Sequence, residues 1–200
     1  MAPEWNVTVR LAGELVALEP LRPEHEDGLV EAAAFPEAFA WWPLDLSAGR
    51  DEVRAFIDWA LAAERDGERQ HYATLDARSG EVIGSTSYFM LQPEHRTAEI
   101  GATFLTPSRW RTGANTEAKL LMLRHAFDVL GCQRVQIVTD ALNEQSRAAI
   151  LALGARFEGI HRQDRVIQHS GRVRDSAFYS ILDSEWPEVE RGLATRLTAR

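Results

Sequence analysis

Apolar and polar positions divide the first half of the chain into a hairpin, two helices and a β meander. Residues 6–18 alternate apolar and polar side chains around Gly13, which predicts a hairpin or two short strands. Apolar residues at helical spacing predict helices over about 24–34 and 49–66. The aromatic, proline-containing residues 35–47 between them predict irregular structure. Strand-like runs separated by short turns then predict a meander over 71–76, 81–91 and 97–105.

The second half of the chain alternates strands and helices. One helix is predicted over about 115–130, with Asn115 as its N-cap, and another over about 143–153. Gly131 and Gly154 follow these two helices and supply left-handed stops. Three strands and a helical tail complete the pattern, over 134–139, 156–162, 173–182 and after Trp186.

This order of elements indicates an α/β (α+β) fold. An antiparallel meander followed by two crossover helices predicts a mixed, mostly antiparallel central sheet of about seven strands, with helices on both faces. In such a sheet, a ligand is expected near the carboxyl ends of the parallel strands, at a helix N-terminus. A length of 200 residues fits a single domain over 1–200, with a core of about 16–186 and a tail over 187–200.

Composition and charge narrow the classes of function. The apolar fraction of 45% is ordinary for a globular protein, and no apolar run approaches the ~20 residues of a membrane helix. A net charge of −8 argues against a nucleic-acid partner and is compatible with an amine-bearing substrate. Residues 1–5 have neither a basic segment nor an apolar core, so no signal peptide is expected. Cys132 is the only cysteine, which fits a reducing cytoplasm.

The segment from Ser108 to Lys119 joins the last meander strand to the next helix and carries the strongest chemical signal. A turn at Gly113 before a helix leaves backbone N–H groups unpaired, and the helix dipole adds partial positive charge there. The segment predicts a pyrophosphate site whose donors are backbone N–H groups from Arg111 to Thr116. The remaining phosphate charge is expected to pair with one of the side chains Arg109, Arg111 or Lys119. Ordinary capping of a core helix is the alternative interpretation.

Several motifs follow an order and spacing typical of one protein family. They are Ala98-Glu99-Ile100-Gly101, Trp110 with Gly113 and Thr116-Glu117-Ala118, Leu130-Gly131, Asn143 with Ser146, and Leu153-Gly154 followed by Glu158-Gly159. Together they resemble the GCN5-related N-acetyltransferase (GNAT) superfamily and, within it, the ribosomal-protein N-terminal acetyltransferase-like branch. The resemblance covers about Val16 to Trp186. One departure is Asn115, because the superfamily's acetyl-CoA turn usually has Gly or Ala there.

The resemblance implies a GNAT fold that binds acetyl-CoA and transfers its acetyl group directly to an amine. The strand over Gly101–Phe104 is expected to line the pantetheine arm and to donate backbone hydrogen bonds to the thioester oxygen. Asn143 is expected to contact the cofactor arm, and Ser146 to lie near the sulfur and hydrogen-bond the thiolate. The implied cofactor-binding residues are Thr103, Phe104, Leu105, Arg109, Arg111, Thr112, Gly113, Ala114, Asn115, Thr116, Asn143 and Ser146.

Two carboxylates join Ser146 as candidate catalytic groups. Glu99 is expected beside the thioester, where it can accept the proton of the amine directly or through water. Its alternative role is to order the end of a strand. Members of the branch sometimes use a glutamate after the Glu-Gly element, and Arg165 occupies that position here. The neighbouring Asp164 is therefore a reserve candidate for the base.

An aromatic segment is the candidate wall of the acceptor pocket. Trp41 and Trp42 lie in it and are the predicted substrate-binding residues. A dimer contact or the hydrophobic core would use such a segment equally well. Histidines are scattered without the spacing of metal ligands, so no metal site is expected.

Two functions compete. The first is an acetyl-CoA-dependent N-acetyltransferase, an acyltransferase that acetylates a primary amine such as a protein N-terminus or a small molecule. The second is a non-catalytic or regulatory acyl-CoA-binding module of the same fold, which the departure at Asn115 favours. A nucleotide-binding protein fits poorly, because the chain has neither a Gly-x-Gly-x-x-Gly fingerprint nor a P-loop. No nucleic-acid or membrane partner is expected, and a homodimer follows from the resemblance alone.

Overall fold

The computed structural model describes residues 5–199, which form one eight-stranded sheet with helices on both faces. Residues 1–4 and residue 200 lie outside the described residues. Residues 1–4 make up most of the N-terminal segment in which the sequence predicts no signal peptide. The strands are β1 (Leu11–Ala12), β2 (Val16–Pro20), β3 (Arg69–Asp76), β4 (Val82–Gln92), β5 (Thr97–Leu105), β6 (Arg134–Asp140), β7 (Arg156–Val166) and β8 (Val173–Leu182). The helices are α1 (Glu26–Ala32), α2 (Arg50–Arg65), α3 (Ala114–Arg124), α4 (Glu144–Ala152) and α5 (Trp186–Thr198). No helix within residues 5–199 is both long and apolar enough to cross a bilayer.

The sheet is mixed and mostly antiparallel. Its strand order is β1-β2-β3-β4-β5-β6-β8-β7. Strands β5 and β6 run parallel, whereas the other neighbouring pairs run antiparallel. This architecture confirms the predicted fold class, but the sheet has eight strands rather than about seven. The eight strands include both arms of the predicted hairpin over residues 6–18, because the two-residue β1 pairs with β2 and Leu11 lies opposite Leu18.

Two clusters of buried side chains form the core, one on each face of the sheet. The larger cluster lies against α3 and α5. The smaller cluster lies under α1 and α2 and includes Phe39 of the aromatic segment. Helix α5 contributes Trp186 and Leu193 to the larger cluster, so one face of the predicted helical tail packs against the main core.

Helix α3 differs from the prediction at both ends. Gly113, with a φ of 102°, is the N-cap, and Asn115 lies inside the first turn. The predicted cap at Asn115 is therefore wrong, because this left-handed backbone favours a residue without a Cβ. The end of the predicted helix, His125–Val129, is a π-helical turn that closes with a 2.9 Å bond from the Leu130 N–H. This wider turn changes the helical register and leaves Val129 exposed to solvent.

Glu117 fastens α3 to the β1–β2 hairpin. Its carboxylate accepts hydrogen bonds from the backbone N–H groups of Glu14, Leu15 and Val16 at 3.0, 2.7 and 2.8 Å. Gly13 makes room for it, because a Cβ at that position would lie 2.4 Å from a carboxylate oxygen of Glu117. The acidic residue of the Thr-Glu-Ala motif thus has a structural role, and it sets the position of α3 against the sheet.

Candidate active site

Strands β5 and β6 pair at their N-terminal ends and then separate. Their pairing ends at Ile100 and Ile137. Beyond that point β5 continues to Leu105 beside β4, and β6 continues to Asp140 beside β8. The two parallel strands therefore leave a wedge between them that is open at their carboxyl ends. Helices α3 and α4 follow these strands, so both helix N-termini lie at the open edge.

A bulge shapes the β5 side of the wedge. Ser85 lies opposite Phe104 and Ser87 lies opposite Gly101, so β5 contains one extra residue at this point. Ala102 lies within the insertion and has a φ of 42°. A bulge leaves backbone groups without ladder partners. The strand thus has the feature through which backbone donors can face a ligand in the wedge.

Lys119 of α3 lies beneath this bulge rather than at the turn before α3. Its Nζ donates to the hydroxyls of Thr103 (2.6 Å) and Thr86 (2.9 Å). The two hydroxyl oxygens are 2.8 Å apart, and that of Thr103 is 3.3 Å from the Gly101 carbonyl oxygen. Lys119 is 5% exposed, and burial lowers its pKa to about 7. Its amine therefore braces the bulge from the core side instead of pairing with a phosphate.

The start of α3 presents unbonded backbone N–H groups. Those of Thr112, Gly113, Asn115 and Thr116 have no acceptor among residues 5–199, and that of Ala114 has a long 3.4 Å contact with the Thr112 hydroxyl. N–H groups in the first turn of a helix lack intrahelical acceptors, and the helix dipole adds partial positive charge. This group of donors fits a pyrophosphate.

Neighbouring side chains hold this turn in place. Trp110 Nε1 donates to the Leu105 carbonyl (2.7 Å), which ties the turn to the end of β5. Arg109 forms an ion pair with Asp76 at the end of β3 (2.9 Å). Arg111 is exposed and has a φ of 61°. A bound phosphate would therefore compete with Asp76 for Arg109.

Asn143 and Ser146 lie at the second helix N-terminus on the open edge. Asn143 is the N-cap of α4, and its Oδ1 accepts a hydrogen bond from the Ser146 backbone N–H (2.9 Å). This cap uses the carbonyl oxygen of the Asn143 side chain and the main chain of Ser146. The Asn143 amide NH₂ and the Ser146 hydroxyl are not used by the cap and can bind a ligand.

Glu99 lies on the opposite face of β5 from its core neighbours, across from Gln136 of β6. Its carboxylate accepts a hydrogen bond from Gln136 Nε2 (2.8 Å). Burial raises the pKa of Glu99, although Gln136 and the nearby Arg165, Arg69 and Arg174 oppose the shift. A carboxylate with a raised pKa is a better proton acceptor near neutral pH than an ordinary one.

Comparison with known proteins identifies the family. Residues 16–156 match the family described as Acetyltransferase (GNAT) domain. The chain belongs to the GNAT acetyltransferase family. Its structure is similar to a GCN5-related N-acetyltransferase from Brucella melitensis, with a TM-score of 0.89 and 33% identity over 98% of this chain and 88% of that one.

Two more proteins extend the comparison. The uncharacterized N-acetyltransferase YoaA of Bacillus subtilis (strain 168) is 32% identical over 123 residues, which are 62% of this chain and 67% of that protein. Mycobacterium smegmatis RimJ, solved in complex with CoA-disulfide, shares the fold with a TM-score of 0.81 at 21% identity over 98% of this chain and 97% of that one. The predicted family and enzyme class are confirmed, and the protein is a GNAT acyltransferase that depends on acetyl-CoA.

Asp164 is a weaker base than Glu99 in this GNAT protein. Its carboxylate accepts hydrogen bonds from Ser176 Oγ (2.6 Å) and Arg165 Nε (2.9 Å). Burial alone would raise its pKa, but these bonds and the charge of Arg174 outweigh burial and hold the pKa below its ordinary value. Glu99 is therefore the better candidate for the proton acceptor.

Trp42 joins the aromatic segment to the wedge. Its Nε1 donates to the Thr103 carbonyl at the bulge (3.3 Å). Its ring packs edge-on against Phe104 and Phe39, with 5.5 Å between the centroids in each pair. Trp42 is half-buried, so the segment contributes both to the GNAT core and to the edge of the cleft.

The turn between β7 and β8 meets the same segment. His169 Nε2 lies 3.0 Å from the Trp42 carbonyl oxygen. The guanidinium of Arg172 lies over the Trp41 ring, 5.5 Å from its centroid, and also bonds Asp140 at the end of β6. The two tryptophans and this turn thus form one wall beside the open edge of the wedge.

Sequence reasoning missed the arginines on the Glu99 face of the GNAT sheet. Arg69 of β3 lies between the rings of Trp59 and Phe89, at 4.6 and 4.2 Å from their centroids. Arg174 of β8 is 6% exposed. These side chains approach Glu99 only because strands distant in sequence pair in the sheet, so no local motif marks them.

Proposed function

We propose that this protein transfers the acetyl group of acetyl-CoA directly to a primary amine, and that the wedge between β5 and β6 is the reaction site. The observation that carries this proposal is the convergence of the bulge, the donors before α3 and the cap of α4 at one open edge. Acetyl-CoA supplies an activated thioester when it is bound.

The chain's own groups divide the work of binding. The backbone N–H groups of Thr112, Gly113, Asn115 and Thr116 bind the pyrophosphate, as the donors at a helix start suit an anion. The β5 segment 103–105 lines the pantetheine arm, and backbone donors at the bulge stabilise negative charge on the thioester oxygen. The Asn143 NH₂ donates to the arm from the other side of the wedge.

Glu99 and Ser146 handle the proton and the leaving group. Attack requires a neutral amine, and an α-amine with a pKa of ~8 is partly neutral already. Glu99 accepts the proton that the nitrogen loses as its new bond to the acyl carbon forms, directly or through one water. The Ser146 hydroxyl donates a hydrogen bond to the sulfur as its bond to the acyl carbon breaks. Asp164 is the reserve acceptor for the proton.

The favoured acceptor is a protein N-terminus, with small amines as competitors. The resemblance to the ribosomal-protein N-terminal acetyltransferase-like branch supports this choice. Trp41 and Trp42 bound the side from which the acceptor enters. The proposal includes a cytoplasmic location, which the free buried thiol of Cys132 suits, and a homodimer.

Calorimetric titration with acetyl-CoA, and with dephospho-CoA and ATP as comparators, tests the cofactor. Stoichiometric binding that is tightest for acetyl-CoA is expected. Thiol release from acetyl-CoA is then measured with N-terminal peptides, lysine, polyamines and aminoglycosides. Turnover with a primary amine supports the proposal, whereas binding without turnover favours the non-catalytic acyl-CoA-binding module. Failure to bind acetyl-CoA overturns the proposed site.

A further inference from the structure

Three arginines lie within electrostatic reach of Glu99, and two of them have partners. Arg69 is held between two aromatic rings. Arg165 forms an ion pair with Asp164 at 2.9 Å. Arg174 differs from both, because it makes no ion pair with any residue of the described range 5–199, and its buried Nε has no hydrogen-bond acceptor there.

The carboxylates near Arg174 are already engaged elsewhere. Asp140, Asp164 and Glu99 each lie close enough to act on its charge. Each of these three carboxylates accepts a hydrogen bond from another side chain, namely Arg172, Arg165 and Gln136 respectively. The cation is therefore not neutralised by direct contact within the described part of the chain.

Arg174 shares a face of the sheet with Glu99. Gln136 lies opposite Glu99 on one side and opposite Ser180 of β8 on the other. Side chains at alternate positions of a strand share a face, so Arg174 lies on the same face as Ser180. This is the face that lacks the larger core cluster and carries the candidate base.

Burial makes it energetically unfavourable for the Arg174 guanidinium to lack a counter-charge. Arg174 is 6% exposed, and a guanidinium stays protonated in proteins even when burial lowers its pKa, as here. An isolated buried charge is unfavourable unless a counter-charge is supplied. A ligand that brings a planar anion would satisfy the parallel N–H donors of the guanidinium.

We propose that Arg174 recognises a carboxylate of the acceptor, so that the preferred substrate is an amine that carries a carboxylate near its amino group. This inference rests on the proposed function, because it places the amine at Glu99. The carboxylate has two sources, the α-carboxylate of a free amino acid or an acidic side chain near the N-terminus of a peptide. Arg174 is a specificity residue here, and it takes no part in the transfer itself.

Matched pairs of acceptors test the carboxylate. One series compares a free amino acid with its amide, and the other compares peptides with Asp or Glu at the second position with their Asn or Gln counterparts. Each pair is compared by kcat/KM with acetyl-CoA and by calorimetric binding to the complex of the protein with CoA. The acid is expected to exceed the amide by about tenfold or more in one series, which identifies the source.

Substitutions at Arg174 test whether this residue causes the preference for the acid over the amide. Arg174→Gln is expected to remove the preference for the acid, and Arg174→Lys to retain part of it. Acetyl-CoA affinity should stay unchanged in both. Arg156→Gln is the matched control, because it removes the same charge from the same hairpin at a side chain that is 77% exposed. The control should keep the full preference.

Equal values for acid and amide in wild type overturn the inference, as does a preference that survives in Arg174→Gln. A loss of acetyl-CoA affinity in folded Arg174→Gln also overturns it, because the anion would then belong to the cofactor. If Arg174→Gln does not fold, Arg174→Lys and the wild-type comparison decide. If no amine is acetylated, the proposed function fails, and calorimetric binding to the CoA complex still decides the carboxylate site.

Discussion

The amine of Lys119 and the hydroxyl of Thr103 are joined by a 2.6 Å hydrogen bond. Lys119 belongs to α3, whose first turn carries the proposed pyrophosphate donors. Thr103 belongs to the bulge on the β5 side of the wedge. This one bond therefore links the two elements that carry the halves of the proposed cofactor site.

Lys119→Met should change how stability depends on pH. Burial lowers the pKa of Lys119 from 10.5 to about 7, so the unfolded chain binds more protons between these values. The wild-type free energy of unfolding should rise relative to Lys119→Met as pH increases through this window. The full effect is several kcal/mol, at about 1.4 kcal/mol per unit of pKa shift. Urea denaturation of both proteins at several pH values measures it.

A direct titration of Lys119 provides the check. Lys119 is the only lysine in the chain, so selective lysine labelling gives one ε-carbon resonance to follow by NMR against pH. A midpoint near 7 is expected. A midpoint near the ordinary 10.5, with parallel stability profiles for wild type and Lys119→Met, would refute the prediction.

Glu99→Gln should lower kcat by about a hundredfold while leaving acetyl-CoA affinity unchanged, since general bases typically contribute factors of this order. Burial raises the pKa of Glu99. Below that pKa the carboxyl is protonated and cannot accept a proton, so wild-type kcat/KM should fall as pH decreases through it. This acid limb should disappear in Glu99→Gln. Glu94→Gln, in the exposed β4–β5 turn, is the control, and retention of the acid limb in Glu99→Gln would exclude Glu99 as the base.

Substitutions at Asn143 should mainly weaken acetyl-CoA binding, whereas a substitution at Ser146 should mainly lower kcat. Asn143→Asp keeps the oxygen that caps α4 but loses the NH₂ donor, so stability should be kept and acetyl-CoA affinity should fall. Asn143→Ala should in addition lose about 1 kcal/mol of stability. Ser146→Ala leaves the cap intact and should lower kcat about tenfold at an unchanged melting temperature. Thermal unfolding, calorimetry and thiol release measure these effects, and normal turnover in the Asn143→Ala, Ser146→Ala double variant would refute both roles.

Gly13 and Glu117 should be energetically coupled. Glu117→Ala leaves three backbone N–H groups without their acceptor and should cost about 3 kcal/mol or more. Gly13→Ala should cost about 1–3 kcal/mol through steric overlap with Glu117. In the Glu117→Ala background, Gly13→Ala should cost much less, because the overlapping atoms are gone. Gly192→Ala in α5, where a Cβ meets nothing within 4 Å, is a control expected to be neutral or stabilising. Additive losses in urea denaturation would contradict the coupling.

Elements that depend on local sequence were predictable. The meander strands and α4 follow from short-range signals, namely alternation, turn residues and the Asn143 cap. The end of α3 was not predictable in this way. The apolar spacing before Gly131 predicts an α-helix, whereas His125–Val129 form a π-helical turn in which Phe127 stacks on Trp186 of α5, a contact that local spacing does not indicate.

Some residues of the candidate site could likewise be predicted from local sequence, and others could not. The Gly113 turn and Asn143 lie in recognisable local motifs at helix starts. Arg174 and Arg69 lie in strands without any such motif, and their approach to Glu99 depends on a strand order in which β8 lies between β6 and β7. The bulge that Lys119 braces is likewise fixed by the pairing of β4 with β5, which composition and spacing do not reveal.

The burial of Lys119 also bears on uncatalysed acetylation of the protein by acetyl-CoA, the acetyl donor of the reaction. A neutral amine attacks a thioester without catalysis, and a lysine whose pKa is lowered to about 7 has a substantial fraction of its amine in that reactive form at neutral pH. The chain has no second lysine, and this one is enclosed beneath the sheet with its nitrogen bonded to two threonines. The protein therefore presents no lysine on its surface to chemical self-acetylation, because its fold encloses the only ε-amine of the chain.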